Sequence, residues 1–277
     1  MSGILDAHLH LWDPAARHHD WLDGQPALQR RFGPEDVDAG RHALTGAVFV
    51  QADCRDDEAL DEVRWVQEIG PPLVRGIVAY APVHRGAGAE PVLAELGRTP
   101  LVVGVRRLLQ GRPAREIVDP QLAEGVRLLA ERDLTFDLCV THDQLPAAAD
   151  LVERCPDTAF VLDHLGKPPV AAGLLDPWRG DLARLAAFPN VACKLSGLAT
   201  EARPGWSSAD VRPYLEHALD VFGPRRCMIG SDWPVVTLAG TTEQWFGAVL
   251  DVVGELAPEE EDAVLSATAA ATYGIDR

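Results

Sequence analysis

A chain of 277 residues, 47% of them apolar, is long enough to bury one large core. Its formal net charge of −17 excludes a nucleic-acid or anionic-membrane surface, because a polyanion would be repelled. No apolar run approaches a membrane span, and no basic segment followed by an apolar one opens the sequence, so a soluble, cytoplasmic protein is expected.

The first predicted element is a strand over Ile4–Leu9, which runs into His8 and His10. Successive side chains on a strand face opposite ways, so Asp6, His8 and His10 are expected on one face and Leu5, Ala7, Leu9 and Leu11 on the other. Two histidines at i and i+2 on a strand point the same way with Cα atoms about 6–7 Å apart, which lets both imidazoles reach one metal ion or one substrate oxygen. The same pair would also suit a strand end fraying into a loop. The stretch from Trp12 to Arg41 is then a long connection rich in His, Asp and Trp, either part of a site mouth or plain surface.

Seven further β-rich apolar runs follow: 46–50, 76–80, 101–105, 135–140, 159–162, 191–195 and 226–229. Helical patterns lie between most of them. Residues 57–69 carry apolar side chains at 60, 63, 66 and 69 behind an acidic first turn. Helices are also expected over 91–96, 120–132, 145–153, 178–187, 208–222, 242–256 and 259–272, two of them opened by proline. Strand alternating with helix implies right-handed crossovers and a parallel sheet. Eight such units in this length predict a single-domain (β/α)8 barrel over residues 1–277. A doubly wound sheet would instead tend to carry a glycine-rich phosphate turn after its first strand.

In a (β/α)8 barrel the active site lies at the C-terminal strand ends. The polar residues there are His8 and His10, Gln51, Tyr80 and His84, Arg106 and Arg107, His142 and Asp143, Asp163, His164 and Lys167, Lys194 and Ser196, and Ser231, Asp232 and Trp233. Alternation leaves only one of Arg106 and Arg107 for the mouth. Gln51 can equally close a strand. Asp143 suits a helix cap, and His84 in a glycine-rich loop is expected in solvent. Asp232, in a Gly-Ser-Asp-Trp-Pro turn after a buried strand, has few structural reasons to be there. The five cysteines, 54, 139, 155, 193 and 227, show no CxxC spacing and read as small buried hydrophobes. Only Lys167 and Lys194 are lysines among 25 basic residues, so each asks for a reason.

Together these stretches resemble the amidohydrolase superfamily, in particular the branch that includes sugar-lactone hydrolases. The matching segments are Asp6–Asp13, Val48–Ala52, Gly104–Arg106, Asp163–Pro168, Cys193–Gly197 and Gly230–Pro234, in the family's order. The resemblance implies that His8 and His10 are a first-strand ligand pair. It also makes His164 the sixth-strand histidine and Asp232 the carboxylate that takes a proton from the attacking water. The fifth strand departs from the metal-dependent pattern, because Leu138-Cys139-Val140 ends it and His142 falls two residues later. A binuclear site is therefore not expected. His8, His10, His164 and Asp232 would hold one divalent ion, zinc first among the candidates, or work without metal.

The expected reaction is hydrolysis of an aldonic-acid lactone, a small-molecule substrate. Asp232, His164, His8 and His10 would be catalytic, and Gln51, Arg106, His142, Lys167, Lys194 and Trp233 would bind substrate. For the two lysines the alternative is a salt-bridge role behind the site. Rival readings are a metal-dependent decarboxylase of aromatic acids and a non-catalytic small-molecule binder. The sequence is silent on oligomeric state.

Overall fold

The computed structural model describes residues 3–276. Eight strands form one parallel sheet in sequence order: β1 (Ile4–Leu9), β2 (Leu44–Val50), β3 (Val74–Ala79), β4 (Val102–Leu108), β5 (Thr135–Cys139), β6 (Phe160–Leu162), β7 (Val191–Leu195) and β8 (Cys227–Ile229). Parallel neighbours need crossovers, which are mostly helical here. Past the strand ends, the Asp232 amide donates to His8 O at 2.8 Å and the His10 amide to Trp233 O at 2.7 Å. These bonds join β1 to the chain leaving β8, so the sheet closes into a (β/α)8 barrel.

All eight expected runs coincide with strands. β4 runs on to Leu108, which places Arg106 and Arg107 inside the strand rather than after it. The helix ends follow local chemistry. Over Pro120–Ala130, Pro120 opens the helix and the Asp119 carboxylate accepts from the Gln121 amide at 2.8 Å. Before Leu145–Glu153 it is Gln144 and Thr141, not Asp143, that form the capping box. The last expected helix, 259–272, is three pieces: Pro258–Asp262, a π-helical turn over Ala263–Ala267, and Thr268–Tyr273.

Two apolar layers hold the barrel. The larger lies between strands and helices and includes Leu9, Leu11, Phe49, Ile77, Leu138 and Trp245. The smaller joins Leu5, Ala7, Val48, Val50, Val78, Val161, Ala192 and Met228 with Ala269, Ala270 and Tyr273 of the last helix. The Leu, Ile, Val, Phe and Met side chains among them contribute about 1.5–3 kcal/mol each when fully buried. The expected alternation along β1 therefore fails. A register shift between Asp6 and Leu9 inserts a bulge, so Leu5 and Ala7 share a layer that Leu9 and Leu11 do not. Asp6 is turned away from the histidines, and its Oδ1 accepts from the backbone amides of His8 (3.1 Å) and Ser231 (2.8 Å).

The long connection after β1 is ordered by aromatic packing. Trp12 is fully buried, and its Nε1 donates to Leu28 O and Arg30 O, both at 3.1 Å. Its ring meets Trp21 and Phe32 edge-on at 5.3 and 5.2 Å. This packing sets Trp21 at the barrel mouth. Among the described residues no helix is long and apolar enough to cross a membrane.

Candidate active site

A cleft of about 240 Å³ opens at the C-terminal strand ends. It is lined by His10, His164 and Asp232, by Arg106, Lys167, Asp53 and Gln110, and by Trp21, Ala52, Leu108, Cys139 and Val235. That is below the roughly 300–1,000 Å³ usual for drug-sized ligands, so it suits a small molecule. Four of its residues, Asp53, His164, Lys167 and Asp232, have φ between 49° and 59°. Non-glycine residues pay strain there, and such strain concentrates at functional sites.

His8 and His10 meet with Nε2 atoms 3.1 Å apart. Asp232 Oδ1 lies 3.7 Å from His8 Nε2 and 3.5 Å from His10 Nε2. His10 Nδ1–H donates to Val50 O at 2.7 Å. A carbonyl only accepts, so His10 keeps a bare lone pair on Nε2 when neutral. His164 packs its ring 4.4 Å from that of His8, and its Nδ1 meets Ser196 Oγ at 2.9 Å. Gly197 makes room for it: a Cβ there would stand 2.4 Å from His164 Nδ1, and its φ is +69°.

Beneath these groups runs a fully buried ionic layer. Lys194 Nζ lies 2.6 Å from Asp137 Oδ2 and 3.0 Å from Asp163 Oδ1, and 3.2 Å from His8 Nδ1. Asp163 Oδ2 accepts from Arg106 Nη1 at 3.1 Å, and Arg106 Nη2 donates to Gln51 O at 2.6 Å. Tyr273 Oη donates to Asp137 Oδ2 at 2.8 Å, which ties the last helix to the layer. Burial disfavours the Asp163 carboxylate, but Lys194, His8 and Arg106 outweigh it and hold the carboxyl well below its ordinary range. Burial likewise opposes the Asp232 charge, and the imidazoles of His164, His10 and His8, when they carry protons, outweigh it and keep that carboxyl low. Burial pushes His164 down to about 4 and His8 well below its usual value, so both are neutral at pH 7.

One divalent ion fits the upper group. Ligand atoms of His8, His10 and Asp232 lie within 4.8 Å of one another, and His10 donates its other ring N–H to a carbonyl as metal-bound imidazoles do. His8, Asp163 and His164 are as close together, but Lys194 and Arg106 already neutralise Asp163, so a second ion does not fit.

The structure brings His8, His10, His164 and Asp232 together and places Arg106 and Lys167 on the cleft wall. Lys167 also pairs with Glu201 at 3.2 Å. Four residues expected to bind substrate do not line the cleft. Lys194 is fully buried under its floor, in the salt-bridge role that was the alternative. Gln51 is buried, with Oε1 accepting from the Asp53 amide at 2.6 Å, so it braces the β2 loop. Trp233 is buried against Phe32, ring centroids 5.4 Å apart. His142 sits outside, its Nδ1 3.1 Å from Lys167 O. Conversely, Trp21, Asp53, Leu108, Gln110, Cys139 and Val235 line the cleft without having been singled out as contacts. Only Asp53, two residues after Gln51, and Cys139, at the end of β5, carried a positional signal. Asp163 stood in a matching segment, but its place at the centre of the ionic layer was not legible.

The fold and this site define a hydrolytic (β/α)8 barrel, and a family model described as amidohydrolase matches residues 5–275. The chain belongs to the amidohydrolase family. It is 34% identical to an L-fucono-1,5-lactonase of Burkholderia ambifaria, an alignment covering all of this chain and 97% of the relative. It is 35% identical to an L-fucono-1,5-lactonase of Burkholderia multivorans, over 98% and 96% of the two chains. Among solved structures, an amidohydrolase from Burkholderia multivorans with bound zinc superposes with a TM-score of 0.89 at 32% identity, covering 99% of this chain and all of that one.

Proposed function

We propose that this amidohydrolase opens the ring of a sugar-derived, aldonic-acid lactone as a single-domain enzyme. The observation that carries the reading is the ionised Asp232 beside His8, His10 and His164 at the floor of a small cleft. Similarity to L-fucono-1,5-lactonases over the whole chain supports the substrate class.

The chemistry follows from the groups present. Water attacks the lactone carbonyl carbon while Asp232 takes its proton. The carbonyl oxygen becomes an oxyanion, stabilised by the Arg106 and Lys167 charges on the wall. When the ring C–O bond breaks, the leaving oxygen takes the proton from Asp232, leaving a hydroxy acid. Asp232 is ionised at pH 7 and so is free to take the proton of the attacking water. A divalent ion held by His8, His10 and Asp232 would add Lewis-acid polarisation of the carbonyl. Trp21, Leu108 and Val235 supply an apolar wall for the sugar carbons, and Asp53 and Gln110 supply polar contacts for hydroxyls. The experiment is proton release with a panel of fucono-, galactono- and rhamnono-lactones. Turnover of at least one is expected, and no turnover of any would reject the reading.

A further inference from the structure

Lys194 is the one fully buried lysine, and the lactone-opening steps above do not use it. Its ammonium hydrogen-bonds to Asp137 Oδ2 at 2.6 Å and His8 Nδ1 at 3.2 Å, and lies 3.0 Å from Asp163 Oδ1 as an ion pair without a hydrogen bond. An ammonium never accepts, so the contact to His8 requires a bare lone pair on Nδ1. Asp163 Oδ1 is just as near to that nitrogen, at 3.2 Å, and would accept a proton from it. It lies outside hydrogen-bonding geometry, however, and makes no hydrogen bond. The other end of the ring agrees. His10 spends its proton on Val50 O, so the 3.1 Å contact between the two Nε2 atoms needs a proton from His8. Both ends place the His8 proton on Nε2.

We infer that Lys194 is a positioning residue that holds His8 as the Nε2–H tautomer, whose proton goes to His10 Nε2, so that His8 must change tautomer before its Nε2 can bind the divalent ion the site would otherwise take. A metal bound through His8 Nε2 needs the other tautomer, with Nδ1–H turned to Asp163. The chain thus carries a built-in ammonium that favours metal-free chemistry. The fully paired series runs from Lys194 through His8 and His10 to Val50 O. Zinc binding must break its first two links.

This inference takes its site from the lactone-opening reading, but its readouts need no turnover, so the two fail separately. In the wild-type protein labelled with ¹⁵N-histidine, long-range ¹⁵N–¹H spectra report which ring nitrogen carries the proton, and His8→Asn assigns the signal. Nε2–H on His8 is expected; Nδ1–H would overturn the inference whatever any variant does. The second arm is the double variant Lys194→Met with Asp137→Asn, which removes the buried ion pair as a unit rather than stranding one charge. Zinc titration against a competing chelator should then give at least about tenfold tighter binding than wild type, the low end of outer-shell effects on metal affinity. The His8 proton should also move to Nδ1. Generic damage to the site would weaken zinc binding. Unchanged or weaker zinc affinity in a folded double variant contradicts the inference.

Discussion

Asp163→Asn tests the ionic layer most sharply. The substitution keeps the shape and removes one negative charge from among Arg106, Lys194 and His8, at a fully buried position. Removing one partner of a buried pair costs about 3–5 kcal/mol, because the remaining charges lose their compensation. With unfolding entropy of about 2.1 cal/mol/K per residue over 277 residues, the loss corresponds to a Tm fall of roughly 5–9 °C. The pH dependence has a fixed sign. The folded Asp163 carboxyl lies well below its unfolded value of about 3.9, so its contribution is present above that value and is lost as pH falls toward the folded one. The gap between wild type and variant should be constant from about pH 8 to 5 and narrow in more acid solution. Thermal unfolding at several pH values reads both quantities. A variant as stable as wild type at pH 7, or a gap that widens in acid, would refute the reasoning.

Three further outcomes follow from other positions. Gly197→Ala puts a Cβ 2.4 Å from His164 Nδ1 at a left-handed φ; it should lower Tm and reduce turnover by about 10²-fold through a displaced imidazole, read by calorimetry and steady-state kinetics. Glu62 is buried, with Oε1 accepting from the Ala52 amide, and burial raises its carboxyl to about 7. Its ionisation destabilises the fold as pH rises above the unfolded value through 7, so Glu62→Gln should be the more stable protein at pH 8 and lose that advantage at pH 5, measured by urea midpoints. Tyr273→Phe removes a donor to the Asp137 carboxylate and should cost about 1.5–3 kcal/mol in urea unfolding; an unchanged midpoint would mean that the last helix is not tied to the ionic layer.

The barrel was legible because parallel strands buried on both faces read as short β-rich apolar runs, and helices between them keep their own period. His8, His10, His164 and Asp232 were legible because they sit at strand ends inside distinctive segments. The bulge in β1 was not, since strict alternation assigns Asp6 to the histidine face and only tertiary register shows the inserted residue. Lys194 was half legible. It lies inside β7 rather than past it, which points to the barrel interior, but its partners come from elsewhere, Asp137 from β5 and Asp163 from the turn after β6. Trp21, Gln110 and Val235 reach the cleft from connecting segments whose path is set by packing such as that around Trp12.

The most direct test of the account is kcat/KM of wild type and Asp232→Asn on a lactone the wild type turns over, followed by proton release. The account predicts a fall of about 10²–10⁴-fold with the fold intact, the usual contribution of a positioned general base. Activity equal to wild type would show that Asp232 does not carry the proton and would overturn the mechanism.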